Sequence, residues 1–162
     1  SYRYPRWIFY LSFGKTMTSI LFVCLGNICR SPLAEGIARK ITTEKGLAIH
    51  IDSAGTGNWH VGEAPCQHSI KVAKNHNIDI SMLRARQVNK ADFSKFDIIV
   101  ALDQNNYNDL KKLGCTNLFK LGAFGHKDAD VPDPYFFDGF EGFEMVFSMI
   151  ESCVKELLTT KG

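Results

Sequence analysis

Residues 19–25 (SILFVCL) form a continuous apolar run that stops at Gly26-Asn27. A strand that is apolar at every position must be covered on both faces, as an inner strand of a parallel sheet is. Residues 32–45 (PLAEGIARKITTEK) follow, with Leu33, Ile37 and Ile41 recurring every four residues, the period of an amphipathic helix. Ser31 is placed to cap that helix, Pro32 stands at its first position, and Gly46 ends it. The alternation continues. Residues 48–54, 97–102 and 117–121 read as strands, and 65–75, 103–113 and 143–158 as helices. This pattern predicts an α/β fold: a three-layer, doubly wound, four-stranded parallel sheet with helices on both faces and a binding loop after the first strand. Open sheets of this kind hold ligands at the C-terminal strand ends, beside a topological switch point. The first strand ends at Cys24.

Composition narrows the function classes. A chain of 162 residues, 45% hydrophobic, suits one domain with a buried core. Its 19 basic and 17 acidic residues leave a net charge of only +2, which gives no case for nucleic acid or an anionic membrane as partner. Five cysteines at irregular spacing make a poor disulfide framework and contain no zinc-ligand pattern. They suit reduced thiols in the cytoplasm. Residues 1–16 (SYRYPRWIFYLSFGKT) include a short apolar run after Arg3 and Arg6 but no small-residue cleavage site. They are read as an N-terminal extension or an artefact of expression, with an export signal as the alternative, and the domain as residues 17–162.

The chemistry concentrates in residues 24–31 (CLGNICRS), which join the first strand to the first helix. Five residues separate Cys24 from Arg30. A loop of that length wraps once around a phosphate- or sulfate-like anion, with its N–H groups pointing inward and the helix N-terminus adding positive potential. Gly26 supplies positive φ and close approach, and Arg30 can bind two phosphate oxygens at once. The same field favours the Cys24 thiolate. Ser31 is placed to donate a hydrogen bond to that sulfur. In-line attack would give a phosphocysteine that water hydrolyses, in a fixed electrostatic cradle that needs no metal or cofactor. A Walker-type loop would need Gly-Lys-Ser/Thr, which is absent. Residues 131–135 (VPDPY) supply a candidate proton donor for the leaving group: Asp133 sits in a loop stiffened by Pro132 and Pro134. Tyr135 and Phe136 can wall an aromatic slot.

These motifs, with residues 52–55 (DSAG), 57–62 (GNWHVG) and 97–103 (DIIVALD), resemble in order and spacing the low-molecular-weight protein tyrosine phosphatases. The resemblance spans about residues 19–158. It implies dephosphorylation of protein phosphotyrosine, with a phosphotyrosine protein, such as a tyrosine kinase, as partner. By the same resemblance Cys24 is the nucleophile, Arg30 and Ser31 the phosphate clamp and thiol-bonded hydroxyl, and Asp133 the general acid. Gly26, Ile28 and Cys29 complete the phosphate loop. Asn27 braces it, with Ser53 and His76 at the positions that usually hold Asn27. Leu25, Trp59 and Tyr135 wall the aromatic slot, and Asp103 is a carboxylate held near Arg30. The last residue can equally cap the helix it precedes. Cys29 matches a second loop cysteine that can pair reversibly with Cys24; the alternative is a small buried loop residue. Departures are Phe136, where many animal members have a second Tyr, and Cys66 and His68, where Asp and Arg are common.

Three rivals share parts of this pattern. Arsenate reductase, of similar fold, needs further cysteines before the third strand, and residues 81–96 contain none. Protein-arginine phosphatases carry Thr where Ile28 stands. A phosphoprotein-binding module without catalysis would usually lack the Cys or the acid, and this chain keeps both. His60, beside Trp59, reads as substrate-touching or merely surface. His50 and His68 read as solvent-facing.

Overall fold

The structure, a computed structural model, describes residues 19–158. The expectations for residues 1–16 and for a domain start at Met17 lie outside them. Four strands, β1 (Ser19–Cys24), β2 (His50–Gly55), β3 (Ile98–Ala101) and β4 (Leu118–Lys120), form one parallel sheet in the order β2-β1-β3-β4. Helices α1 (Arg30–Glu44), α2 (Gln67–Asn75), α3 (Asp92–Lys95), α4 (Gln104–Lys112) and α5 (Glu141–Leu158) lie between and after them. From β1 the chain steps to one side for β2, then returns to the other side for β3. The switch point therefore falls at the C-terminal end of β1, where Cys24 pairs in register with Gly55.

Side chains alternate across the sheet and build two cores. Ile20, Phe22 and Cys24 of β1 and Ile98 and Val100 of β3 face α1, α2 and α5. Leu21 and Val23, with Ile99 and Ala101, face Phe96, Leu110 and Cys115 on the opposite side. All six residues of β1 are buried, which accounts for the apolar run that follows Ser19. On α5, Phe143, Phe147, Ile150 and Val154 form the buried stripe. Each fully buried side chain of this size contributes about 1.5–3 kcal/mol of hydrophobic stabilisation. Among the described residues no helix is long and apolar enough to cross a membrane.

Boundaries differ from the sequence reading by no more than two residues, and one of the differences is instructive. Helix α1 starts at Arg30, with Cys29 at the cap position and no side-chain cap. Ser31 does not cap the helix, because its hydroxyl is committed to the Cys24 sulfur. Pro32 is thus the third helical residue, still within the first turn, where a missing N–H costs no intrahelical bond. Gly46 does end the helix, at φ 67°. The one-turn helix α3 and the 3-10 turns Leu121–Ala123 and Pro134–Phe136 were not anticipated; each is too short to show a period.

Phe147 is fully buried, with the His76 ring stacked on it at 4.0 Å. Phe147→Ala is expected to lower the unfolding free energy by about 3–5 kcal/mol, measured as a shift in urea midpoint by circular dichroism.

Candidate active site

The loop after β1 closes on its own sulfur. Ser31 Oγ lies 3.0 Å from Cys24 Sγ, and the Asn27 amide donates to the same sulfur at 3.3 Å. Asn27 Nδ2 donates to Ser31 Oγ at 2.8 Å. That hydroxyl oxygen already accepts a bond, so its proton is available to the sulfur. Asn27 has φ 58°, the left-handed region, whereas Gly26 has no positive φ. This corrects the reading of Gly26 as the positive-φ residue. Gly26 serves close approach instead: a Cβ there would sit 3.0 Å from the His60 ring.

A buried polar network behind the loop holds Asn27. Its Nδ2 also donates to Ser53 Oγ at 2.9 Å, and its Oδ1 accepts from the Arg86 amide at 3.0 Å. Ser53 Oγ donates in turn to Glu35 Oε1 at 2.7 Å, and Glu35 pairs with Arg39 at 2.7 Å. Burial raises the Glu35 pKa above its ordinary value, against the pull of Ser53 and Arg39. Arg86 pairs with Asp52 and Asp92, all at 3.1 Å. His76 is not part of this brace. It lies at the end of α2, bonded to Glu144 at 3.2 Å and stacked on Phe147, because its ring faces α5. Glu35 and Arg86 take the supporting places that the sequence reading gave in part to His76.

Arg30 is buried, and its Nη1 donates to Asp103 Oδ2 at 2.6 Å and to the Val131 carbonyl at 2.9 Å. Burial alone would lower its pKa; the facing Cys24 and the Asp103 carboxylate outweigh it and hold it above the ordinary value. The other oxygen of Asp103 accepts from the Asn106 amide and caps α4, so Asp103 does both jobs considered for it. Val131 N donates to the Leu102 carbonyl at 2.9 Å. The loop carrying Asp133 is thereby fastened to β3 and to Arg30. Asp133 accepts from the Tyr135 amide at 2.9 Å, capping the turn Pro134–Phe136.

Cys24, Arg30 and Asp133 line one cleft of ≈ 240 Å³. Leu25, Gly26, Ile28, Cys29, Trp59, His60 and Tyr135 line it as well. Trp59 is 68% and Tyr135 58% exposed, unusual for rings this large. Trp59 folds over Gly57, where a Cβ would collide with its ring. The arrangement brings a thiol, a cation and a carboxyl into one cleft beside two aromatic rings. His50 and His68 are exposed, as expected, although His68 also packs its ring edge-on against Phe143 at 4.9 Å.

A family model described as low molecular weight phosphotyrosine protein phosphatase matches residues 19–161. The chain belongs to that family. It is therefore a hydrolase acting on phosphate monoesters. It is 39% identical to the low molecular weight protein-tyrosine-phosphatase PtpA of Staphylococcus aureus (strain MRSA252), over 85% of this chain and 92% of that one. The crystal structure of YfkJ from Bacillus subtilis superposes with a TM-score of 0.80 at 39% identity, covering 88% of this chain and 92% of the other. At 30% identity the chain is also similar to DARP, a Drosophila arginine phosphatase, with a TM-score of 0.80 over 86% of this chain and 94% of the other.

The phosphate loop leans on β2. The Thr56 and Gly57 amides donate to the carbonyls of Cys24 and Leu25, each at 2.9 Å. A Cβ on Gly55 would lie 2.7 Å from the Leu25 carbonyl oxygen and 3.2 Å from the Asn27 nitrogen, both main-chain atoms that cannot step aside. Gly55→Ala is expected to lower kcat/KM for para-nitrophenyl phosphate on the order of 10²-fold by displacing the cradle. An unchanged far-UV spectrum beside the lowered rate would separate this from unfolding.

Proposed function

We propose that this chain hydrolyses phosphotyrosine in proteins, and small aryl phosphates, through a phosphocysteine on Cys24. The supporting observation is that Cys24, Arg30 and Asp133 line one cleft between Trp59 and Tyr135. Phosphate sits in the loop as the dianion. Its oxygens take the inward N–H groups of the loop and the guanidinium nitrogens of Arg30 that Asp103 and Val131 leave open. The Cys24 thiolate attacks phosphorus in line and the P–O bond to the aryl group breaks. Asp133, entering protonated, gives its proton to the departing phenolic oxygen. In the second step water attacks the phosphocysteine, Asp133 takes the water's proton, and the P–S bond breaks. Ser31 stabilises the departing sulfur through the bond to Cys24.

Ile28 in the lining of the cleft and the two exposed rings beside it favour an aryl ester over a phosphoguanidine. The protein substrate is a phosphotyrosine-bearing partner, a tyrosine kinase among the candidates. We take residues 17–162 as the phosphatase domain. No disulfide occurs among the described residues, and free thiols suit a cytoplasmic site of action.

The test is an assay on three substrates: para-nitrophenyl phosphate, a phosphotyrosine peptide and phosphoarginine. Turnover of the first two and little of the third is expected. Cys24→Ser should abolish turnover, and its full activity would overturn the mechanism. Asp133→Ala should slow phosphotyrosine hydrolysis by about 10²–10⁴-fold, and para-nitrophenyl phosphate less, because that leaving group needs a proton least.

A further inference from the structure

Beside the cleft the phosphate loop meets a third thiol. Cys29 Sγ lies 2.9 Å from Cys66 Sγ, at the N-terminus of α2. The contact is backed by the main chain. The Cys66 amide donates to the Ile28 carbonyl at 2.8 Å, and Ser69 Oγ, 3.2 Å from Cys66 Sγ, donates to the Cys29 carbonyl at 3.0 Å. Two strands of contact thus hold the start of α2 against the loop, with the sulfurs between them. A disulfide bond is about 2.05 Å long, so joining these sulfurs asks for less than about an ångström of movement. Cys29 also lines the cleft with Cys24, whereas Cys66 does not. Cys29 therefore touches the Cys66 sulfur and shares the cleft with Cys24.

We propose that Cys66 is a resolving thiol for the phosphate loop: once a peroxide has oxidised Cys24, the disulfide formed with Cys29 passes to Cys66, and Cys24 returns as a free thiolate. The proposal rests on Cys24 being the nucleophile of the preceding section. In the first step the Cys24 thiolate displaces hydroxide from the peroxide and becomes a sulfenic acid. The Cys29 thiol then attacks that sulfur, forming the Cys24–Cys29 bond and releasing water. Finally the Cys66 thiolate attacks Cys29 Sγ; the Cys29–Cys66 bond forms, the Cys24–Cys29 bond breaks, and Cys24 leaves with the electron pair. The peroxide is reduced, and Cys29 and Cys66 are each oxidised by one electron.

The proton inventory suits the final step. The hydrogen bond from Cys29 holds the Cys66 pKa down to about 6 despite burial, and pushes that of Cys29 up. The final step needs Cys66 deprotonated, and the shift lies in that direction. The other described cysteines offer no such route: Cys115 and Cys153 are buried, and burial pushes their pKa values up to about 11 and about 12.

The experiment treats the full chain with equimolar hydrogen peroxide, quenches with catalase, alkylates free thiols and maps tryptic peptides. Residues 16–30 form one peptide carrying both Cys24 and Cys29, and residues 46–71 carry Cys66. A cross-link between these peptides at Cys29 and Cys66, with Cys24 alkylated, supports the relay. A disulfide that stays within residues 16–30 in the wild type overturns it. In parallel, the oxidised wild type should regain para-nitrophenyl phosphate turnover without added reductant. Cys66→Ser, with the same starting rate, should recover at least about tenfold more slowly until dithiothreitol is added. Equal recovery in both proteins overturns the proposal. The rate before peroxide tests Cys24 as nucleophile separately, so failure of that reading is distinguishable from failure of the exchange.

Discussion

Asn27 carries the geometry of the site. A non-glycine residue in the left-handed region costs roughly 1–2 kcal/mol, and it persists only where its surroundings fix it. Here three partners do so: Ser31, Ser53 and the Arg86 amide. The reversal of the chain at Asn27 turns its own amide toward the Cys24 sulfur. The same side chain orients Ser31. The sulfur's surroundings are therefore set by one amide side chain, which is anchored through Ser53 to a buried glutamate on α1.

This layout explains what was legible in the sequence. The apolar run of β1 and the four-residue period of α1 are local signals, and the sheet's parallel order follows from the alternation of elements. Cys24, Arg30 and Asp133 were legible because each occupies a dense motif. Glu35 and Arg86 were not. Glu35 sits inside an amphipathic helix, where a single acid followed by Arg39 reads as an ordinary surface pair. Arg86 lies in an irregular segment, and its partners Asn27, Asp52 and Asp92 are scattered along the chain. His76 was misplaced because a position in a chain says nothing about which helix a ring will face; α5 captured it. The assignment of positive φ to Gly26 followed residue preference, but side-chain hydrogen bonds gave the neighbouring asparagine that conformation.

Electrostatics and mechanics coincide at Arg30. A buried guanidinium needs a partner, and Asp103 supplies it from the end of β3. Because Asp103 also caps α4, the position of the clamp is tied to a helix terminus. The second bond of Arg30, to the Val131 carbonyl, joins the clamp to the loop of the acid. Three segments distant in sequence thus share one cation, and Trp59 and Tyr135 are the exposed rings of the cleft.

Val131 is gripped at both ends of its peptide, its amide by Leu102 and its carbonyl by Arg30, two residues before Asp133. Asp133 is thereby carried on backbone that is fixed two residues upstream. Backbone fixed in this way has little conformational freedom left to lose when a ligand enters the cleft.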